Sequence, residues 1–134
     1  MTTSQETIEL MIGWLDALRR RDLVALAERM APDVRWQGVR DDLVCRNRDE
    51  AIDALQELRT EDFEIDAVEM TAGVGTAVLG MRGAGLYELA GEPLPGQIFT
   101  VFTIRDGIVV RMEDHKLRGD ALRAAGIEPD AGWL

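Results

Sequence analysis

The hydrophobic positions of this chain change period once, near residue 62. Before that point they recur at three- and four-residue intervals. Ile8, Met11, Ile12, Leu15 and Leu18 make one stripe, which predicts an amphipathic helix opened by a capping box of Thr3 and Glu6. The run "RRRD" breaks the stripe. A second helix is predicted from Asp22 as N-cap, burying Leu23, Leu26, Ala27 and Met30 and stopping at Pro32. Val34, Trp36 and Gly38 then alternate with Arg35 and Gln37, the pattern of a short strand. Asn47 as N-cap, Glu50 at the capping-box position and the stripe Ala51, Ile52, Leu55, Leu58 predict a third helix.

From residue 62 onward the period is two. "FEIDAVEMTAG" alternates, and "GTAVLGMRGAG" is a nearly continuous apolar run. "QIFTVFTIR" and "GIVVRMEDHK" are joined by Asp106-Gly107, a strong two-residue hairpin signal. "LAGEPLPG" reads as a loop between strands, and "RGDALRAAG" as a last short helix stopped by Gly126. Helices followed by an antiparallel meander is an α+β pattern, and the 134 residues suit one domain spanning 1–134.

Composition narrows the function classes. Apolar residues make up 46% and charged residues 30%, as in ordinary globular chains rather than disordered ones. The formal charge of −10 argues against nucleic acid and anionic membrane as partners, because their phosphates would be repelled. Cys45 is the sole cysteine and His115 the sole histidine, so a disulfide, a thiolate cluster or a histidine-based metal site is not expected. No organic cofactor is expected either. The first residues lack the basic-then-apolar pattern of a signal peptide, and no apolar run is long enough to cross a bilayer, which leads to the expectation of a cytoplasmic protein.

The candidate chemistry lies at the end of "GIVVRMEDHK", an apolar strand that finishes in four ionisable residues. Alternation puts Ile108, Val110, Met112, Asp114 and Lys116 on one face, and the hairpin adds Thr100, Phe102 and Ile104 to it. Asp114 is then a lone carboxyl in an apolar pocket, with a pKa raised towards the range of a general acid/base. The other reading is that the strand is emerging and Asp114 is solvated, or paired to Arg82 or Lys116. A β-bulge near Met112 would instead turn His115 inward, the one side chain whose ordinary pKa lies near neutrality. Arg82 interrupts an apolar strand and needs a partner if it is buried, either Asp114 or a ligand oxyanion; facing outward it would be solvated. Glu113 is expected to pair with Arg111 or Arg105. Trp14 and Trp36 either pack in the core or shape a pocket. Cys45 has no activating base beside it, and Trp133 with Leu134 either cover a pocket or form a frayed tail.

Three stretches, "LAERMAPDVRWQG", "RNRDEAIDAL" and "IFTVFTIRDGIVVRMEDHKLRGDALRAAG", resemble the NTF2-like superfamily, in its SnoaL-like and ketosteroid-isomerase-like branch. The resemblance implies a curved sheet wrapped around the helices into a cone, an apolar pocket inside it, and a homodimer formed through the sheet. Ketosteroid isomerases use a tyrosine on the first helix and aspartates on two strands. Trp14, Trp36 and Thr100 look to hold those places here, and none of them supplies the proton chemistry. Members resembling limonene-epoxide hydrolase need an Asp-Arg-Asp arrangement. Arg82 and Asp114 match two parts, but Ala84 stands where the bridging aspartate would be. SnoaL-like cyclases rely mainly on one aspartate presented by a sheet strand, and Asp114 lies in the matching segment. The expectation is therefore a cofactor-independent cyclase, isomerase or lyase acting on a hydrophobic, carbonyl-bearing small molecule. Asp114 would be the acid/base, with Arg82 or His115 assisting, and Trp36, Thr100, Phe102, Met112 and Trp14 would shape the pocket. A non-catalytic module holding an apolar ligand is the alternative, and a bare dimerisation scaffold a third.

Overall fold

The computed structural model describes residues 4–57, 66–89 and 91–128. Four helices and eight strands follow one another as α1 (Ser4–Arg19), α2 (Leu23–Glu28), β1 (Met30–Gln37), β2 (Val44–Cys45), α3 (Arg48–Glu57), β3 (Ala67–Ala72), β4 (Thr76–Arg82), β5 (Glu88–Leu89), β6 (Glu92–Pro93), β7 (Gln97–Arg105), β8 (Ile108–His115) and α4 (Arg118–Ala124). Six strands form one curled open sheet in the order β2-β1-β8-β7-β4-β3, and β5 pairs with β6 as a separate ribbon inside the segment read from sequence as a loop. The ladder β3-β4-β7-β8 is antiparallel throughout, as the meander pattern predicts. β1 joins it in parallel with β8, bringing Trp36 beside Met112.

The two faces of the sheet carry different cores. Ala77, Leu79, Phe102, Ile104, Val109 and Met112 meet the first three helices on the concave face. Val78, Phe99 and Val101 meet Ala121, Leu122 and Ala125 of α4 on the other. Arg118 bonds Glu69 of β3 from its Nε, at 3.0 Å to each carboxylate oxygen, and clamps α4 to that second face.

Local signals set most element ends. Asp22 caps α2 by accepting from Ala25 N at 3.1 Å. Asn47 accepts from Glu50 N at 2.9 Å while Glu50 reaches back to Arg46 N at 3.0 Å, a reciprocal start for α3. Asp106 and Gly107 both have positive φ, 53° and 77°, the twist that suits a two-residue hairpin. Gly126, at φ 72°, ends α4 with Gly126 N on Arg123 O and Ile127 N on Leu122 O, a Schellman motif.

Three expectations are corrected. α1 buries Thr7, Met11, Trp14 and Ala17 and leaves Ile8 and Ile12 41% and 55% exposed, because the bulky Trp14 sets the face that meets the sheet. α2 ends at Glu28, and Met30 opens β1 rather than closing the helix; Pro32 then sits where the β1–β8 register shifts, a place that needs no donor. On β8 the inward residues are not a simple alternation: Val109 is fully buried, Ile108 is exposed, and Val110 is an extra residue between the pairs Ile104–Val109 and Thr103–Arg111. Thr3, Leu58, Trp133 and Leu134, to which the sequence assigned roles, lie outside the described residues.

Candidate active site

The bulge at Val110 decides which way the charged end of β8 faces. It falls before Met112, so Met112 and Asp114 stay in step, opposite Phe102 and Thr100 of β7. Asp114 therefore faces the concave side and is only 9% exposed. Both of its oxygens are engaged by neutral donors. Trp36 donates its indole N–H to Oδ2 at 3.1 Å, and Thr100 donates its hydroxyl to Oδ1 at 2.8 Å. Burial disfavours the charged form and raises the Asp114 pKa from 3.8 to about 6, against the opposing pull of the two hydrogen bonds.

Two cavities meet at this carboxyl, sharing Val39 and Asp114 in their walls. One, of about 470 Å³, is mainly apolar and runs between β1, β2 and α3, lined by Trp36, Leu43, Val44, Cys45 and Ala54. The other, of about 620 Å³, opens past the end of β8 and is lined by Leu94, His115, Lys116, Leu117 and Asp120. Both volumes fall in the range of small-molecule sites. Cys45 belongs to the first wall. Its thiol pKa is raised by burial and by the nearby Glu50, Asp114 and Asp53, which keeps it protonated and unreactive.

The other residues singled out by sequence fall into three places. Trp36 and Thr100 are brought to Asp114 itself. Phe102, Met112 and Trp14 do not line either cavity; they are packed in the concave core, with Trp14 edge-on to Phe102 at 5.1 Å between ring centroids. Arg82 pairs across the ladder with Gln97, one step out of phase with Ile98 and Thr100, and so stands on the face opposite Asp114. Of the alternatives open to Arg82, pairing with Asp114 is not the one formed: the oxygens of Asp114 take Trp36 and Thr100, and Arg82 is on the other face. His115 likewise points to the α4 side, paired with Phe99, yet it contributes to the wall of the larger cavity where β8 ends. Its Nε2 is buried with no hydrogen-bond partner among the described residues. Lys116 is held by Glu92 at 2.6 Å, and Glu113 by Arg111 at 2.9 Å.

Among the described residues no group of three or more His, Cys, Asp or Glu side chains is placed to hold a metal ion, and no helix is long and apolar enough to cross a membrane. Sequence reasoning missed the Trp36 N–H as a donor to Asp114, and missed Val39, Leu43, Val44 and Ala54 as walls. The Trp36 contact depends on the parallel β1–β8 pairing, which leaves no local signal in the chain.

The SnoaL-like domain family matches residues 12–112. The chain belongs to that family. Its fold is shared with solved structures of low sequence identity. A candidate ketosteroid isomerase from Kribbella flavida is 22% identical with a TM-score of 0.68, the match covering 98% of this chain and 87% of that one. A candidate SnoaL-like polyketide cyclase from Jannaschia sp. CCS1 is 22% identical with a TM-score of 0.63, covering 94% and 95%. An NTF2-like protein of unknown function from Burkholderia pseudomallei is 20% identical with a TM-score of 0.61, covering 88% and 95%. The comparison with curated proteins gives no match. Within this SnoaL-like chain, a desolvated carboxyl between an apolar and a mixed cavity can give or take a proton near neutral pH.

Proposed function

We propose that this SnoaL-like protein catalyses a proton transfer on a hydrophobic, carbonyl-bearing small molecule, as a step of a cyclisation, isomerisation or dehydration. Asp114 is the acid/base. The observation that carries the reading is the carboxyl of Asp114, buried, held by two neutral donors and forming part of the walls of two cavities. A group with a pKa of about 6 is partly protonated at neutral pH and is regenerated quickly by water. Positioned proton transfer of this kind contributes on the order of 10²–10⁴ in rate. Trp36 and Thr100 hold the carboxylate's orientation and supply neutral hydrogen bonds that keep its pKa from rising further.

The second reading, binding without chemistry, draws on the same hydrogen bonds: both Asp114 oxygens already have a protein donor. Deuterium exchange separates the two. Hydrophobic ketones incubated with the protein in D₂O are followed by NMR at the carbon next to the carbonyl. Proton transfer predicts enzyme-dependent exchange that Asp114→Asn slows by at least about a hundredfold, with ketone affinity retained. Ketones that bind but do not exchange, or that exchange equally with Asp114→Asn, leave the binding module as the better account.

A further inference from the structure

The two cavities that meet at Asp114 differ in what they can hold. In the smaller one the walls are Trp36, Val39, Leu43, Val44 and Ala54, and its acids, Asp42 and Glu57, are exposed at the solvent side. Among the described residues, Asp114 alone offers a buried charge there. The larger cavity is mixed, with Pro93, Leu94 and Leu117 beside Asp114, His115, Lys116 and Asp120, and is richer in polar groups than the smaller one. Two of its charges are already paired within the protein. Lys116 is bonded to Glu92 at 2.6 Å, and Asp120 to Arg123 at 2.6 Å. A charged ligand group would have to compete with those pairs, and an anion would also face Asp114 under a net charge of −10. Among the described residues Lys116 Nζ bonds only Glu92, which leaves two ammonium hydrogens to hold an uncharged acceptor.

We infer that the ligand of this site is a two-part, uncharged amphiphile: an apolar body in the Trp36–Ala54 cavity, and a carbonyl- or hydroxyl-bearing end in the Lys116–Leu117 cavity. The junction between the two parts lies at Asp114. This rests on the reading of the Asp114 site as the ligand site, and it adds which end enters which cavity and what charge the ligand carries. The reacting carbon is then the one that joins the apolar body to the polar end, since only that part of the molecule passes the carboxyl.

The test uses three fluorescent probes with one shared body, 2-dimethylaminonaphthalene, carrying at the far end of the ring a propionyl group, a carboxylate or hydrogen. The propionyl probe is expected to bind about tenfold more tightly than the carboxylate and about fivefold more tightly than the unsubstituted ring. Ala54→Phe, which fills the apolar cavity, weakens all three. Leu117→Trp, at a residue 54% exposed, fills the larger cavity and erases the advantage of the propionyl probe while sparing the unsubstituted ring. If Ala54→Phe does not fold, amide shifts in the wild-type protein replace it: the propionyl probe perturbs both Val44 and Leu117, the unsubstituted ring Val44 alone. Equal affinity for the three probes, tighter binding of the carboxylate, no binding of any, or an unchanged ranking in Leu117→Trp overturns the inference. None of these readouts involves turnover. Ranked binding without deuterium exchange sinks the proton-transfer reading alone, and Asp114-dependent exchange with unranked binding sinks the two-part ligand alone.

Discussion

Trp36 donates its indole N–H to Asp114 Oδ2 at 3.1 Å, tying β1 to β8 across 78 positions of sequence. With Thr100 on the other oxygen, the carboxylate is stabilised by two donors and destabilised by burial, and burial wins. Removing either donor leaves burial less opposed. Trp36→Phe and Thr100→Val are each expected to raise the Asp114 pKa above about 6, read by carbon-detected NMR titration of the side-chain carboxyl. A pKa that drops towards 3.8 in either variant would mean that the substitution had let water in and relieved the burial.

The same shift fixes a pH dependence of stability. Between pH 3.8 and about 6 the folded protein holds a proton on Asp114 that the unfolded chain has released. Stability from this group is therefore full below 3.8 and is lost as pH rises through about 6. The loss is on the order of 3 kcal/mol. Asp114→Asn lacks the titration. The stability of the wild type minus that of the variant, from urea unfolding, should fall across this window and be flat above pH 7. A difference that rises with pH contradicts a raised pKa.

Arg118 and Glu69 hold α4 on the convex face, with side chains only 12% and 23% exposed. Arg118→Ala strands a partly buried carboxylate and should cost about 3 kcal/mol. Glu69→Gln combined with Arg118→Met should recover part of that loss, because neither charge is then left unpaired. Thermal unfolding of the two proteins measures the difference.

Phe102 and Met112 are fully buried in the concave core rather than in a cavity wall. Met112→Ala is expected to cost roughly 2–5 kcal/mol of stability. Ligand affinity measured on the folded fraction should stay close to that of the wild type. A selective loss of affinity with stability intact would return Met112 to the pocket.

Gly107 stands at φ 77°, and a Cβ built there meets nothing within 4 Å. The cost of Gly107→Ala is then purely that of the backbone conformation, about 1 kcal/mol. Gly107→Asn should cost less, since asparagine tolerates the left-handed region. A much larger loss for alanine would show that the hairpin register itself had shifted.

Much of this architecture is legible in the chain. Asp22, Asn47 with Glu50, Asp106-Gly107 and Gly126 act within a few residues of themselves, so their caps and turns are local chemistry and appear where the pattern places them. The change of period near residue 62 separates helices from ladder for the same reason. Asp114 was legible too, as an acid at the end of an apolar strand. Its surroundings were not. Arg82 was a reasonable partner by composition, but strand parity carries it to the opposite face, and no local signal announces the ladder that sets that parity.

The sequence by itself determined the elements, the α+β order and the one carboxyl worth watching, because these depend on neighbours a few residues apart. Tertiary structure decided the rest. The extra residue at Val110 offsets the alternation of β8, so that Val109 rather than Ile108 turns inward before Met112 and Asp114. The parallel seam with β1 delivers the indole N–H of Trp36 to that carboxyl. Both depend on pairing between strands far apart in the chain, where register is a property of the assembled sheet and not of any one segment.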